Sequence, residues 1–177
     1  MVRKSNKNKR ATRQTKPTIL FVGEGKTEVA FIKHLKSLYQ PERSPPVRVD
    51  TQDGHDAGNI LRTALRRPDT EARDAIVCLY DLDTVLPVGD LKKAEDKKFV
   101  LIGAEPCIEG FMLDILGKER PHSTKNCKHK MHPMLGGKGK ETDPNSYKIF
   151  TKEILEKSRL RLPNLDLILS LIETGKR

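Results

Sequence analysis

Apolar residues along this chain fall into two alternating patterns: short unbroken runs, and longer stretches in which they recur every three or four positions. Runs closed by Gly or Pro suit strands buried on both faces, and the wider recurrence suits amphipathic helices. The first run covers residues 18–23 and is bounded by Pro17 and Gly23. Beyond Gly25, the spacing of Val29, Phe31, Ile32, Leu35 and Leu38 predicts a helix over about 27–39, with Lys33, Lys36 and Ser37 on its other side. A weaker unit follows: a Val47-Arg48-Val49 strand after Pro45 and Pro46, a turn over 54–58, and a helix marked by Ile60, Leu61, Ala64 and Leu65. Residues 75–80 and 99–103 are two further strands, separated by a Pro87-Val88-Gly89 break and a charged helix over 90–97. Helices are expected over 108–116, 146–158 and 165–174, the last after Pro163, and the chain has no internal repeat.

Alternating strands and helices with apolar strands predict an α/β fold: a compact, Rossmann-like parallel sheet of about four strands flanked by helices, with a C-terminal helical extension. A chain of 177 residues with 36% hydrophobic residues suits one domain with a real core. Residues 1–16 carry no large apolar side chain after Val2 and read as a disordered basic arm. Residues 17–116 form the α/β core. Residues 117–145, rich in Gly and Lys and without periodicity, read as a mobile basic loop, and 146–177 as helices packing on the core.

Charge placement sharpens this picture. The net charge is +10, with seven Lys or Arg and no acid in residues 1–16. Residues 118–140 hold seven more basic residues against Glu119 alone, so the remainder carries a net −3. Two basic segments flanking a slightly acidic body imply a polyanion partner, because each neutralised phosphate releases condensed counterion; the plainer alternative is that such runs only keep the chain dissolved. Three scattered cysteines give no disulfide framework. His122, Cys127, His129 and His132 match no common zinc spacing, and Lys125, Lys128 and Lys130 among them favour a solvated basic loop. No run approaches the roughly 20 apolar residues of a membrane span, and the N-terminal region has no signal-like apolar run, so a cytoplasmic protein without membrane contact is expected. Gly25-Lys26-Thr27 resembles the end of a P-loop, but Leu20 stands where the loop needs its first Gly.

Acids sit at three predicted strand ends, where open parallel sheets bind their ligands. The first strand leads into Glu24, with Glu28 one helical turn on; the third ends in Asp81-Leu82-Asp83; the fourth is followed by Glu105 and, one turn into the next helix, Glu109. If these strands are neighbours the carboxylates converge, and converging carboxylates raise each other's pKa unless a cation lies between them. Oxygen ligands favour Mg2+ or Mn2+. Asp81 and Asp83, two apart at a strand end, are expected to project to the same side, and the glycines beside Glu24 to let a phosphate approach. Each acid also has a plainer reading: Glu24, Glu28 and Glu109 as helix-entry acids, and Asp81 and Asp83 as loop formers.

The segments Val22-Gly23-Glu24-Gly25-Lys26-Thr27-Glu28, Asp81-Leu82-Asp83 and Glu105-Pro106-Cys107-Ile108-Glu109-Gly110-Phe111 resemble the Toprim domain of topoisomerases, primases and certain nucleases. Within that group they resemble the RloB-like branch related to the OLD-family nucleases, over about residues 17–116. The resemblance implies Glu24 as general acid or metal ligand, Asp81 and Asp83 as catalytic metal ligands, and Glu28 and Glu109 as additional ligands. Glu105 stands where the relatives carry Asn. It also implies a role in defence against mobile DNA and an ATPase or other defence protein as partner. The resulting expectation is a Mg2+- or Mn2+-dependent nuclease acting on DNA or RNA phosphodiesters. Lys125, Lys128, Lys130, Lys138 and Lys140 would hold the strand, the loop closing on a Gly136-Gly137 hinge, with Lys138 or Lys140 offsetting transition-state charge. The alternative is a noncatalytic, metal-dependent module that binds nucleic acid or a nucleotide. Tyr39, Tyr80 and Tyr147, the only tyrosines, suit no covalent strand passage.

Overall fold

A computed structural model of the chain describes residues 18–40, 42, 46–51, 57–66, 73–83, 85–97 and 99–176. The basic arm and most of the turn expected at 54–58 lie outside these residues. Four strands, β1 (Ile19–Gly23), β2 (Val47–Thr51), β3 (Ala75–Asp81) and β4 (Val100–Ala104), form one all-parallel sheet in the order β2-β1-β3-β4. The helices are α1 (Lys26–Tyr39), α2 (Ala57–Arg66), α3 (Val88–Asp96), α4 (Ile108–Ile115), α5 (Thr124–Met131), α6 (Lys152–Arg159) and α7 (Pro163–Thr174). The fold is therefore α/β, Rossmann-like, with a C-terminal helical region.

Side chains alternate across a pleated strand, so an unbroken apolar run must be covered on both faces. Ile19 and Phe21 of β1, with Val77 and Leu79 of β3, join a core built with α1, α4 and α7. Leu20 and Val22, with Ile76 and Cys78, join a second core under α2 and α3, where Ile60, Leu61, Ala64 and Ala94 are buried. The first core is sealed by aromatic packing, Phe31 of α1 meeting Phe150 edge-on with ring centroids 5.3 Å apart. His34, also on α1, is buried with Nε2 3.0 Å from the Phe150 carbonyl; desolvation lowers its pKa, which keeps the ring neutral and donating. Among the described residues no helix is long and apolar enough to cross a membrane.

Three elements differ from the sequence pattern. Segment 117–145 is not a mobile loop: it contains α5 and 3-10 turns at His132–Leu135 and Lys140–Thr142. Cys127, Met131 and Leu135, four apart, are fully or almost fully buried and bring this segment against the core, while the Ser123 hydroxyl caps α5 by accepting from the Asn126 amide. The helix expected over 146–158 is broken in two. A 3-10 helix, Pro144–Ile149, ends at Phe150, and Thr151 restarts the chain as the N-cap of α6, its hydroxyl accepting from the Ile154 amide. Val88 and Gly89 belong to α3 itself, whose N-cap is Pro87, because the missing N–H of proline costs nothing before a first turn.

The packed α5 yields a stability test. Met131→Ala is expected to lower the unfolding free energy by about 2–5 kcal/mol in a urea titration. A side chain on a solvated loop would change it by no more than about 0.5 kcal/mol.

Candidate functional site

In a β2-β1-β3-β4 sheet the chain leaves β1 toward one edge and later returns to the other side of β1, so the order reverses between β1 and β3. Such a reversal opens a crevice at the carboxyl ends of the strands. Glu24 follows β1 and Asp81 closes β3, and the Glu24 Oε2 accepts a 3.3 Å hydrogen bond from the Asp81 amide across this point. Glu28, in the first turn of α1, is 4% exposed, and its Oε2 accepts from the Gly25 amide at 2.8 Å. The Asp81 Oδ1 accepts from the Ile108 amide at 2.8 Å, at the start of α4. Glu109, in the first turn of α4, is 1% exposed. Its Oε1 lies 3.3 Å from His132 Nε2, and its buried Oε2 has no hydrogen-bond partner among the described residues.

Close approach of α4 depends on Gly110. A Cβ there would lie 2.5 Å from the Glu105 carbonyl oxygen, so any side chain would push away the turn that carries Glu109. The N-termini of α1 and α4 both face the acids, and their donating amides and positive dipole ends offset part of the charge.

That offset is incomplete. Burial, with the charges of Glu109 and Glu24 adding, pushes the Glu28 carboxyl up to about 7 against the hydrogen bond from Gly25. Burial pushes Asp81 up to about 8, with Glu28, Glu24 and Glu109 adding and the Ile108 amide opposing. Four carboxylates, Glu24, Glu28, Asp81 and Glu109, therefore share one field. Lys128 of α5 lies in it as well. Burial pulls its ammonium down, but Glu109, Asp81, Cys107 and Glu28 together hold its pKa raised.

Asp83 does not project with Asp81. The chain turns after β3, with the Leu82 amide on the Ala104 carbonyl and the Asp83 amide on the Pro106 carbonyl, and the exposed Asp83 accepts from the Thr124 hydroxyl at 2.5 Å. Of the other basic residues, Lys125, Lys138 and Lys140 are exposed, and Lys130 is tied to Glu119 through its carboxylate at 3.6 Å and its carbonyl oxygen at 2.7 Å. Cys127 faces the core, its Sγ 3.2 Å from the Pro121 carbonyl, and His132 faces Glu109, so the four His and Cys residues of this segment do not form a group.

Sequence reasoning did not assign His132 and Thr124 their partners. The available signal was the four-residue step from Lys128 to His132 beside the Cys127, Met131 and Leu135 stripe, which places both on one flank of α5.

The donor set is all oxygen, and one buried oxygen is unused, which suits a hard divalent cation. As they stand, however, no three His, Cys, Asp or Glu side chains among the described residues are gathered closely enough to hold an ion. A cavity of about 520 Å3 lies apart from the acids, between α2 and α3, where Arg62, Arg66, Lys93 and Lys97 surround Asp90. Comparisons with protein-family models, curated proteins and solved structures gave no match to this chain.

Raised carboxyl pKa values have a defined consequence for stability. The ordinary values are 4.5 for Glu28 and 3.8 for Asp81, so the folded state binds protons more tightly than the unfolded chain. The resulting stabilisation is complete below about pH 4 and is lost as pH rises through about 7 to 8. In metal-free buffer the thermal midpoint should therefore fall between pH 5 and pH 8.5, and Glu28→Gln should flatten the fall. Millimolar Mn2+ should restore the midpoint at pH 8.5; a midpoint unaffected by Mn2+ would contradict the cluster's affinity for cations.

Proposed function

We propose that this chain is a metal-dependent nuclease of Toprim type that hydrolyses phosphodiester bonds in DNA or RNA. The observation that carries the reading is the buried Glu109, with one oxygen unpartnered among the described residues, in the field of Glu24, Glu28 and Asp81 at the reversal point of the sheet. These four would hold Mg2+ or Mn2+, with Asp83 at the rim. A bound cation would supply an activated water and offset charge on the leaving oxygen.

The chain's own residues divide the remaining work. Lys128, in the field of the acids, would hold a phosphate against them. Lys125, Lys138 and Lys140 extend the positive surface along α5 and the turns after it, and would follow a strand through its backbone. Lys130 contributes less, being paired with Glu119. Contact with His132 fixes the orientation of Glu109. The resemblance to RloB-like and OLD-family nucleases adds defence against mobile DNA, an ATPase partner and a cytoplasmic setting to the proposal.

A second reading, a noncatalytic module that binds nucleic acid or a nucleotide, is favoured by one observation: Glu28 and Asp81 already serve as helix caps. One substitution separates the two. With Mg2+ or Mn2+, the wild-type protein should cut at least one of plasmid, single-stranded DNA or total tRNA. Asp81→Asn should lower that rate by about a hundredfold or more while retaining most of the binding. Absence of cleavage by the wild type, with binding weakened by Asp81→Asn, would favour the module.

A further inference from the structure

Leu82, between the two aspartates, is 49% exposed, although it is a large apolar side chain held beside charged groups. It lies across β4 at Gly103, where a Cβ would come within 2.5 Å of its Cδ2. Leu82 forms one wall of a cavity of about 260 Å3, and Phe111 of α4 and Leu162, just before α7, form others. The rim is polar. Arg120 is held by Glu105 and Asp114, each at 3.1 Å. Asn164 donates through Nδ2 to the Gly103 carbonyl at 3.0 Å, which leaves its Oδ1 as an acceptor.

This combination selects against a phosphate and for a neutral ring. Two carboxylates against one guanidinium give the rim no surplus positive charge, so an anion gains nothing by entering. An uncharged, apolar-faced group whose edge carries hydrogen-bond donors would cover Leu82 and meet the acceptors of Asn164, Glu105 and Asp114. Leu82 follows Asp81 directly in the chain, and on the nuclease reading the occupant is part of the molecule whose phosphate faces the acids.

We propose that this cavity is a nucleobase subsite, and that the preferred substrate is single-stranded nucleic acid with the base beside the bound phosphate inserted against Leu82. The proposal rests on the nuclease reading for the position of the phosphate. A base in an intact duplex is stacked on both faces and paired at its edge, so it enters only when the helix opens. Single strands present their bases at no such cost.

The test is fluorescence anisotropy of the full chain in Ca2+ buffer at fixed salt, with three labelled probes: a mixed-sequence single strand, its duplex, and an abasic strand of the same length. The single strand should bind about tenfold or more tightly than either of the others. Asn164→Trp, which fills the cavity from the exposed start of α7, should abolish that preference while the protein stays folded by circular dichroism and binds the abasic strand as before. Equal affinity for single and abasic strands, no binding of any probe, or an unchanged preference in Asn164→Trp would overturn the subsite. Base-dependent binding without metal-dependent cleavage would instead sink the nuclease reading and leave the subsite standing. Equal cleavage of duplex and single strand with no base dependence would do the reverse.

Discussion

Four carboxyl groups that feel one another's charge near the carboxyl ends of β1, β3 and β4 must be compensated, and much of this structure is arranged around that requirement. Glu28, Asp81 and Glu24 each accept a backbone amide, from Gly25, Ile108 and Asp81 respectively, so the chain itself supplies the first positive ends. Glu109 takes a histidine, and Lys128 supplies a full charge. Among the described residues the buried Glu109 Oε2 has no hydrogen-bond partner. Desolvation of an unpaired carboxylate oxygen costs about 1–3 kcal/mol or more, and a site that tolerates such a cost is where a ligand cation or phosphate chemistry is expected.

Compensation also explains why the segment after α4 is folded. Lys128 and His132 reach the acids only because α5 is helical and anchored by Cys127, Met131 and Leu135. The Thr124 hydroxyl fastens the start of α5 to Asp83, so the aspartate that leaves the cluster ties the covering helix to the sheet. Fold and site are therefore coupled: loss of α5 would expose Glu109 and remove Lys128 and His132 from the acids, and neutralising the acids would remove part of what α5 is held against.

Much of the sheet was legible in the sequence because β1, β3 and β4 are apolar runs ended by glycine or acid, and buried parallel strands leave no other trace. Glu24 and Asp81 were legible as strand-end acids, but their adjacency depends on β1 pairing with β3, which no local pattern encodes. α5 was hidden because its two buried residues, Cys127 and Met131, are separated by Lys128, His129 and Lys130, and charge outweighed a period of four. The direction of Asp83 was misread because the same-side rule for alternate residues holds only within a strand, and the chain turns at Leu82. The pairing of His132 with Glu109 spans 23 positions and belongs to tertiary packing alone.

The central claim is that Glu24, Glu28, Asp81 and Glu109 form one cation site. Anomalous diffraction from crystals soaked in Mn2+ tests it most directly. The account predicts a peak enclosed by these four side chains, lost in Glu109→Gln crystals; a peak on other residues, or none at saturating Mn2+, would contradict it.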